Sequence, residues 1–282
     1  MGIKEFLKKK LVKTKKEQIS IPCLEGHFLD GRKALITGGS SGIGYAIAKS
    51  FLANGADIAL CGRNVAKLEN AKEKLCEACH CDSLKIDTLV LDISKVEDMK
   101  KSLLAYLAKN DQKIDIFVNN AGINGGDLFP NTREEDYDKI LETNLKGMYF
   151  ISQEIANYMI RNQIPGNILN ITSSSALRPA ISPYIISKWG ERGLTLGMAK
   201  KYLPYGIIVN GLAPGSTLTP MIKKDAENDL NLEYSPVGRY AAPEEIGNLA
   251  TVLVSNMGRM VVGDTVYATG GAGVITFDDM TY

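Results

Sequence analysis

The chain has 282 residues, 45% hydrophobic and 23% charged, with 33 Lys and Arg against 32 Asp and Glu. That length suits one or two domains of about 150 residues, and the ordinary composition excludes collagen-like, disordered and disulfide-scaffold classes. No apolar run approaches the ~18 residues that span a bilayer, and a net charge of +1 argues against a dedicated nucleic-acid binder.

The charge is unevenly spread. The first twenty residues carry seven lysines and two acids, net +5, which leaves −4 for the rest. Ile3, Phe6, Leu7 and Leu11 recur at helical spacing. A basic amphipathic helix for an anionic membrane or a partner subunit is one reading, and a solvated extension is the simpler one. Phe6 stands where a myristoylation signal wants Ser or Thr. Without an uninterrupted apolar h-region the start reads as no secretory signal, so the expected compartment is cytoplasmic. Residues 1–30 are expected to form a basic arm and residues 31–282 a single domain.

Beyond the arm, short apolar runs alternate with longer segments of helical period. In chain order the expected elements are strand 33–37, helix 45–54, strand 57–61, helix 65–77, strand 86–91, helix 96–109 and strand 114–118. Then follow helix 145–162, strand 167–171, helix 184–202, strand 207–209, helix 243–255 and strand 265–268. Such alternation, with near-continuous apolar strands, predicts an α/β fold: one doubly wound parallel sheet with helices on both faces.

The first strand ends in Thr37-Gly38-Gly39-Ser40-Ser41-Gly42-Ile43-Gly44. Glycines let bare backbone approach a pyrophosphate, which then rests on the positive end of the following helix. The placement between strand and helix makes the motif much stronger than glycines alone. The same residues fit a nucleophile elbow, but the only later histidine is His80, badly placed for a hydrolase triad. A ribose-binding carboxylate would be expected about 20 residues on. Cys61-Gly62-Arg63 stands there instead, and Asp57 is at the wrong end of its strand. An arginine can grip a 2′-phosphate that a carboxylate would repel.

After the second helix, Cys76-Glu77-Ala78-Cys79-His80-Cys81 contains a Cys-x-x-Cys-His pattern and resembles half a zinc site. No second cysteine pair completes four ligands, so a helix end and turn is the expected reading, with no metal. Further on, Tyr184 and Lys188 fall at i and i+4 on one helix face, with Ser182 and Pro183 as cap and first residue. A cation beside a phenol favours the phenolate and brings tyrosine toward useful acid–base range. Asn170-Ile171-Thr172-Ser173-Ser174-Ser175 ends the fifth strand, where a hydroxyl could meet a substrate oxygen as charge develops on it.

Together the Thr-Gly-x-x-x-Gly-x-Gly turn, Asn119-Asn120-Ala121-Gly122 and Tyr184-Ile185-Ile186-Ser187-Lys188 resemble the short-chain dehydrogenase/reductase family over roughly residues 31–273. The resemblance implies hydride transfer between a nicotinamide cofactor and a carbonyl or alcohol, with a catalytic set of Asn144, Ser173, Tyr184 and Lys188. Tyr184 would act as general acid or base, Lys188 would lower its pKa and hold the nicotinamide ribose, and Asn144 would hold a relay water. Ser173 lies 11 residues before Tyr184 where the family usually has 13, so Ser174 and Ser175 stay open as rivals. Arg63 implies NADP(H) over NAD(H), although Ser40 and Ser41 replace the base that often reinforces it. The cofactor would also meet Gly38, Gly42, Ile43, Gly44, Asp92, Ile93, Asn120, Ala121, Gly122, Pro214, Gly215, Thr217 and Thr219.

Substrate identity stays open. Pro236-Val237-Gly238-Arg239 and Ala242-Pro243-Glu244-Glu245-Ile246 resemble 3-oxoacyl-carrier-protein reductases, whereas Ile123-Asn124-Gly125-Gly126 replaces their Arg-Asp pair. A sugar, polyol or other small carbonyl is the alternative, and a non-catalytic NADP-binding regulator is a different class that a degraded Tyr/Lys pair would have favoured. Residues 216–240, with Met221, Ile222, Leu230, Leu232 and Tyr234, form the expected substrate loop. A homotetramer is expected from the family. No aromatic-basic motif accompanies Lys200-Lys201 to suggest nucleic acid.

Overall fold

The protein is described by a computed structural model over residues 24–109, 113–221, 231–233 and 235–276. The basic segment of the arm, and Ile222, Leu230 and Tyr234, lie outside the described residues. Seven strands form one parallel sheet: β1 (Lys33–Thr37), β2 (Asp57–Gly62), β3 (Ile86–Val90), β4 (Ile116–Asn119), β5 (Gly166–Ile171), β6 (Ile207–Pro214) and β7 (Thr265–Ala268). Their spatial order is β3-β2-β1-β4-β5-β6-β7.

Strand side chains alternate between two cores. Ala34, Ile36, Ile58, Leu60 and Val118 pack under α1 (Gly42–Ala53), α2 (Val65–Cys79) and α7 (Pro243–Val254). Leu35, Ala59, Phe117 and Ile168 pack under α3 (Val96–Lys109), α5 (Met148–Arg161) and α6 (Pro183–Tyr202). The doubly wound architecture therefore follows from apolar residues on both faces of every central strand. Phe51 and Phe117, both wholly buried on opposite faces, anchor the two layers; truncating either to Ala costs about 3–5 kcal/mol. No described helix is long and apolar enough to cross a membrane.

Several boundaries differ from expectation. Helix α1 begins at Gly42, not at 45, because the glycine turn completes its reversal by Gly42. Strand β6 runs to Pro214, since Asn210–Pro214 pair with β5, β7 or both despite an interrupted apolar pattern. An eight-residue helix, α4 (Glu134–Leu141), was not foreseen: Ile140 is its one buried residue, so it lacks an apolar stripe. A π-helical segment, Glu142–Gly147, joins it to α5. Ahead of β1, Leu29 is wholly buried and Leu24 N–H donates to Asn248 Oδ1 at 2.8 Å. Packed chain therefore begins before residue 31.

At the amino ends of the strands, Arg32 Nε meets Asp115 Oδ2 at 2.7 Å and Arg32 Nη2 donates to Asn167 Oδ1 at 3.0 Å. Beside them Lys33 and Tyr106 both bond Asp87. Asp57 lies at this same end, in register with Lys33.

Candidate active site

The strand order reverses between β1 and β4, which opens a crevice at their carboxyl ends. A cavity of about 380 Å³ lies there. Thr37 joins the two strands: its hydroxyl donates to Val118 O (3.2 Å) and accepts from the N–H groups of Asn120 (2.9 Å) and Ala121 (3.1 Å). Asn120 Nδ2 returns the contact to the carbonyls of Thr37 and Gly38.

Gly38 (φ +64) and Gly42 (φ +56) are left-handed. A Cβ on Gly38 would stand 2.9 Å from Asn120 Nδ2 and 3.1 Å from the Ala121 backbone. Gly44 is closer still to Asn120 and the Gly38 carbonyl, so a side chain fits at neither position. Ser41 makes no side-chain capping bond to α1. The amino end of this helix is thus bare backbone carrying a partial positive charge, a cradle suited to a phosphate. Gly38, Ser40, Ser41, Gly42 and Ile43 all line the cavity.

Arg63 follows β2, and Lys67 stands one helical turn later; both line the cavity. Asn64 caps α2, its Oδ1 accepting from Lys67 N–H at 3.0 Å. Neither cation makes an ion pair among the described residues. Asp92 and Ile93 form the next part of the wall, and Asp92 Oδ1 accepts from the N–H (3.0 Å) and hydroxyl (2.8 Å) of Ser94. Asp92 therefore both faces the cavity and shapes the turn into α3. Asn120, Ala121 and Gly122 complete this side.

Asn144 sits in the π-helical segment and is buried. Its Nδ2 donates to Ile123 O (2.9 Å) and Ser187 Oγ (3.1 Å), while its Oδ1 accepts from Ile123 N–H (2.8 Å). The side chain thus fixes the loop after β4 against α6. Inserted turns of this kind often mark functional sites.

Helix α6 starts as its sequence implied: Ser182 Oγ accepts from Ile185 N–H at 3.3 Å and Pro183 takes the first position. Half-buried Tyr184 and buried Lys188 both line the cavity, with Lys188 Nζ 5.5 Å from the Tyr184 ring centre. Lys188 Nζ also lies 2.9 and 3.0 Å from the two carboxylate oxygens of Glu191. Burial pulls the ammonium down, but Glu191 and Tyr184 more than offset this, leaving it above its ordinary value. Burial pushes the Glu191 carboxyl up, against opposing pulls from Lys188 and Thr172.

The serine cluster is placed less directly. Thr172 lines the cavity. Ser173, next in the chain, caps a short 3₁₀ turn (Ser174–Leu177), its Oγ accepting from Ser175 N–H at 3.1 Å and lying 3.2 Å from Ser175 Oγ. Ser174 is buried and Ser175 half-buried. Of the expected nicotinamide-side segment, Gly215 N–H donates to Ala268 O (3.0 Å) and Thr217 Oγ1 to Gly215 O (3.1 Å), while Thr219, Pro220 and Met221 reach the cavity.

Sequence reasoning missed the joining role of Thr37 and the cavity positions of Lys67, Ile123, Thr143 and Thr172. It also missed Glu191. Helical spacing could have found Glu191, three residues past Lys188, while Lys67 stands in the first turn of the helix that follows Arg63. The cysteine cluster lies far from this chemistry: Cys76 and Cys79 end α2, and with Cys81 they pack on one core. Among the described residues no group of three or more His, Cys, Asp or Glu is placed to hold a metal.

The short chain dehydrogenase family model matches residues 32–230. Gluconate 5-dehydrogenase of Gluconobacter oxydans is 34% identical over 249 residues, covering 86% of this chain and 95% of the relative. A gluconate 5-dehydrogenase of Burkholderia cenocepacia, solved in complex with NADP and tartrate, superposes with a TM-score of 0.78 at 32% identity, covering 87% and 96% of the two chains. A 3-ketoacyl-(acyl-carrier-protein) reductase of Brucella melitensis, solved with NADH, gives 0.77 at 28% identity, covering 87% and 100%. With its glycine turn, Asn-Asn-Ala-Gly segment and Tyr/Lys helix gathered at one crevice, the chain belongs to the short-chain dehydrogenase family of NAD(P)-dependent oxidoreductases acting on alcohol or carbonyl groups.

Proposed function

We propose that this enzyme moves hydride between NADP(H) and the carbonyl or secondary alcohol of a small polar substrate, with Tyr184 as general acid and base. The observation that carries this is the placement of Tyr184 and Lys188 in the wall of the crevice that also holds the glycine turn and Arg63. The residues fit a dinucleotide: bare backbone at Gly38 and Gly42 for the pyrophosphate, and two cations, Arg63 and Lys67, for a 2′-phosphate. Asp92 and Ile93 would flank the adenine, and Asn120, Ala121, Gly122, Lys188, Pro214, Gly215, Thr217 and Thr219 the nicotinamide half. Bound NADP(H) would supply or accept the hydride.

In the reducing direction Tyr184 gives the phenolic proton to the oxygen as the carbonyl carbon gains hydride; in the oxidising direction it takes that proton back. Lys188 stabilises the phenolate, and Ser173 would orient the substrate oxygen. Asn144 holds the loop that carries Ile123 against α6 and belongs to the proton-relay side of the site. Gluconate, named for two of the relatives, makes polyhydroxy acids and their keto forms the first substrates to try. The Brucella relative and the Arg239 and Glu245 segment support 3-oxoacyl thioesters as the second. The exposed Trp189 and Leu196, two turns apart on α6, offer an apolar face for the homotetramer proposed on family grounds.

The test is a panel of keto acids, sugars, simple ketones and acyl thioesters with NADPH and NADH, on the native chain and Tyr184→Phe. NADPH should support the faster turnover. Tyr184→Phe should lose about 10²- to 10⁴-fold in kcat while still binding NADPH. Retained turnover in that variant would remove Tyr184 from the reaction, and a preference for NADH would remove Arg63 from cofactor choice.

A further inference from the structure

Glu191 is 2% exposed and belongs to no part of the chemistry above. A carboxylate that deep needs a partner, and both of its oxygens hold the Lys188 ammonium; the Thr172 hydroxyl, just past β5, donates to the Lys188 carbonyl at 3.4 Å. Lys188 is itself buried, with three N–H donors to share between Glu191 and the crevice. We propose that Glu191 is a positioning residue that tethers the Lys188 ammonium beside Tyr184 and offsets the charge it presents to that phenol. The proposal rests on the reading of Tyr184 as the acid–base group.

The electrostatic reasoning is direct. An ammonium near a phenol favours the phenolate, and an anion bound to that ammonium opposes it. Lys188 with Glu191 ionised is a nearly neutral pair; Lys188 alone is a full buried cation. Glu191 therefore offsets part of the field that Lys188 exerts on the Tyr184 hydroxyl, the group that must donate its proton to a carbonyl being reduced. The charges acting on Lys188 are Glu191 and Tyr184, and the charge acting on Glu191 is Lys188.

Among the described residues, the elements packed on α6 bring no competing partner to the pair. Strand β6 has no ionisable residue, the π segment presents Asn144, and its Lys146 is paired with Glu142. Helix α4 exposes its charges except Asp136, which Arg133 holds. Arg178, after the 3₁₀ turn, packs beside Gly273, and Arg192 of α6 lies over Trp189.

Phenolate absorbance in the near ultraviolet tests this without any substrate. The titration of Tyr184 is isolated by subtracting Tyr184→Phe from the native chain, and Glu191→Gln/Tyr184→Phe from Glu191→Gln. Removing the carboxylate charge should lower the midpoint by about one pH unit or more, and Glu191→Asp should restore part of it. With a substrate from the panel, the pH limb of kcat should move the same way while KM changes little. A folded Glu191→Gln chain with an unchanged or raised midpoint overturns the proposal. Should that variant not fold, Glu191→Met removes the same charge at similar volume and must show the same downward shift. Turnover surviving in Tyr184→Phe defeats the acid–base reading itself; an inactive Tyr184→Phe with matching midpoints defeats the role of Glu191 alone.

Discussion

At the amino ends of the strands Arg32 holds Asp115 and Asn167, and Lys33 shares Asp87 with Tyr106. At the carboxyl ends Arg63 and Lys67 face the crevice with no acid paired to them among the described residues. The same residue types thus do different work at opposite ends of one sheet. Paired charges tie strands to one another, whereas unpaired ones leave hydrogen-bonding capacity for a ligand. Lys188 stands between the two cases, because it faces the crevice yet is held by Glu191.

This contrast breaks most easily at Asp115, whose side chain is 8% exposed against 24% for Arg32. Burial pushes its carboxyl up and Arg32 opposes this. Asp115→Ala leaves Arg32 Nε and the Lys33 N–H short of a partner, and removing one member of a buried pair costs about 3 kcal/mol. For a domain of this size that is a fall in Tm of roughly 6 to 12 °C, read by thermal denaturation. NADPH affinity of the folded variant should be unchanged. A marked affinity loss would show that the amino end also shapes the site.

The reverse experiment is Arg63→Ala. An exposed charge without a partner contributes little to folding, so Tm should stay within about 1–2 °C of the parent. NADPH affinity should fall by about 10- to 100-fold, in keeping with a charge-assisted phosphate contact of roughly 1.5–3 kcal/mol. NADH affinity should barely move. Binding titrations with both cofactors give the ratio. Equal losses for the two would assign Arg63 to the shared part of the dinucleotide.

How much of this was legible in the sequence depends on whether backbone or side chains made the feature. The glycine turn could be read because only glycine tolerates left-handed φ at 38 and 42 and the close approach of Asn120 at 44. The strands could be read because both faces are buried. Helix α4 could not, since an exposed acidic helix carries no apolar period, and β6 was cut short because Asn210 and Gly211 interrupt its apolar run. In the site, Tyr184 and Lys188 followed from helical spacing. Glu191 was hidden because a glutamate on a helix is ordinarily solvated, and Thr172 because contact across the crevice depends on strand register. Ser173 remains one residue beyond Thr172, with its hydroxyl engaged by Ser175.

The smallest effect concerns the segment that resembled 3-oxoacyl-carrier-protein reductases. Arg239 forks onto Glu245 at 2.7 and 2.8 Å, and Glu245 also accepts from Ala242 N–H at 2.9 Å. Two of the resembling residues therefore brace the start of α7, and neither lines the cavity. The Arg239 hydrogen bonds hold the Glu245 carboxyl below its ordinary 4.5. A depressed carboxylate stabilises the fold above its unfolded value, and that contribution is lost as pH falls through the folded one. With both side chains about a quarter to a third exposed, Glu245→Gln should cost under about 1 kcal/mol at neutral pH. The Tm gap between the two chains should then close as the pH drops below 4.5. Substrate preference across the panel should be the same in both. A Tm gap independent of pH would leave the charge without a role, and an altered ranking of acyl thioesters would carry this segment from the scaffold into substrate choice.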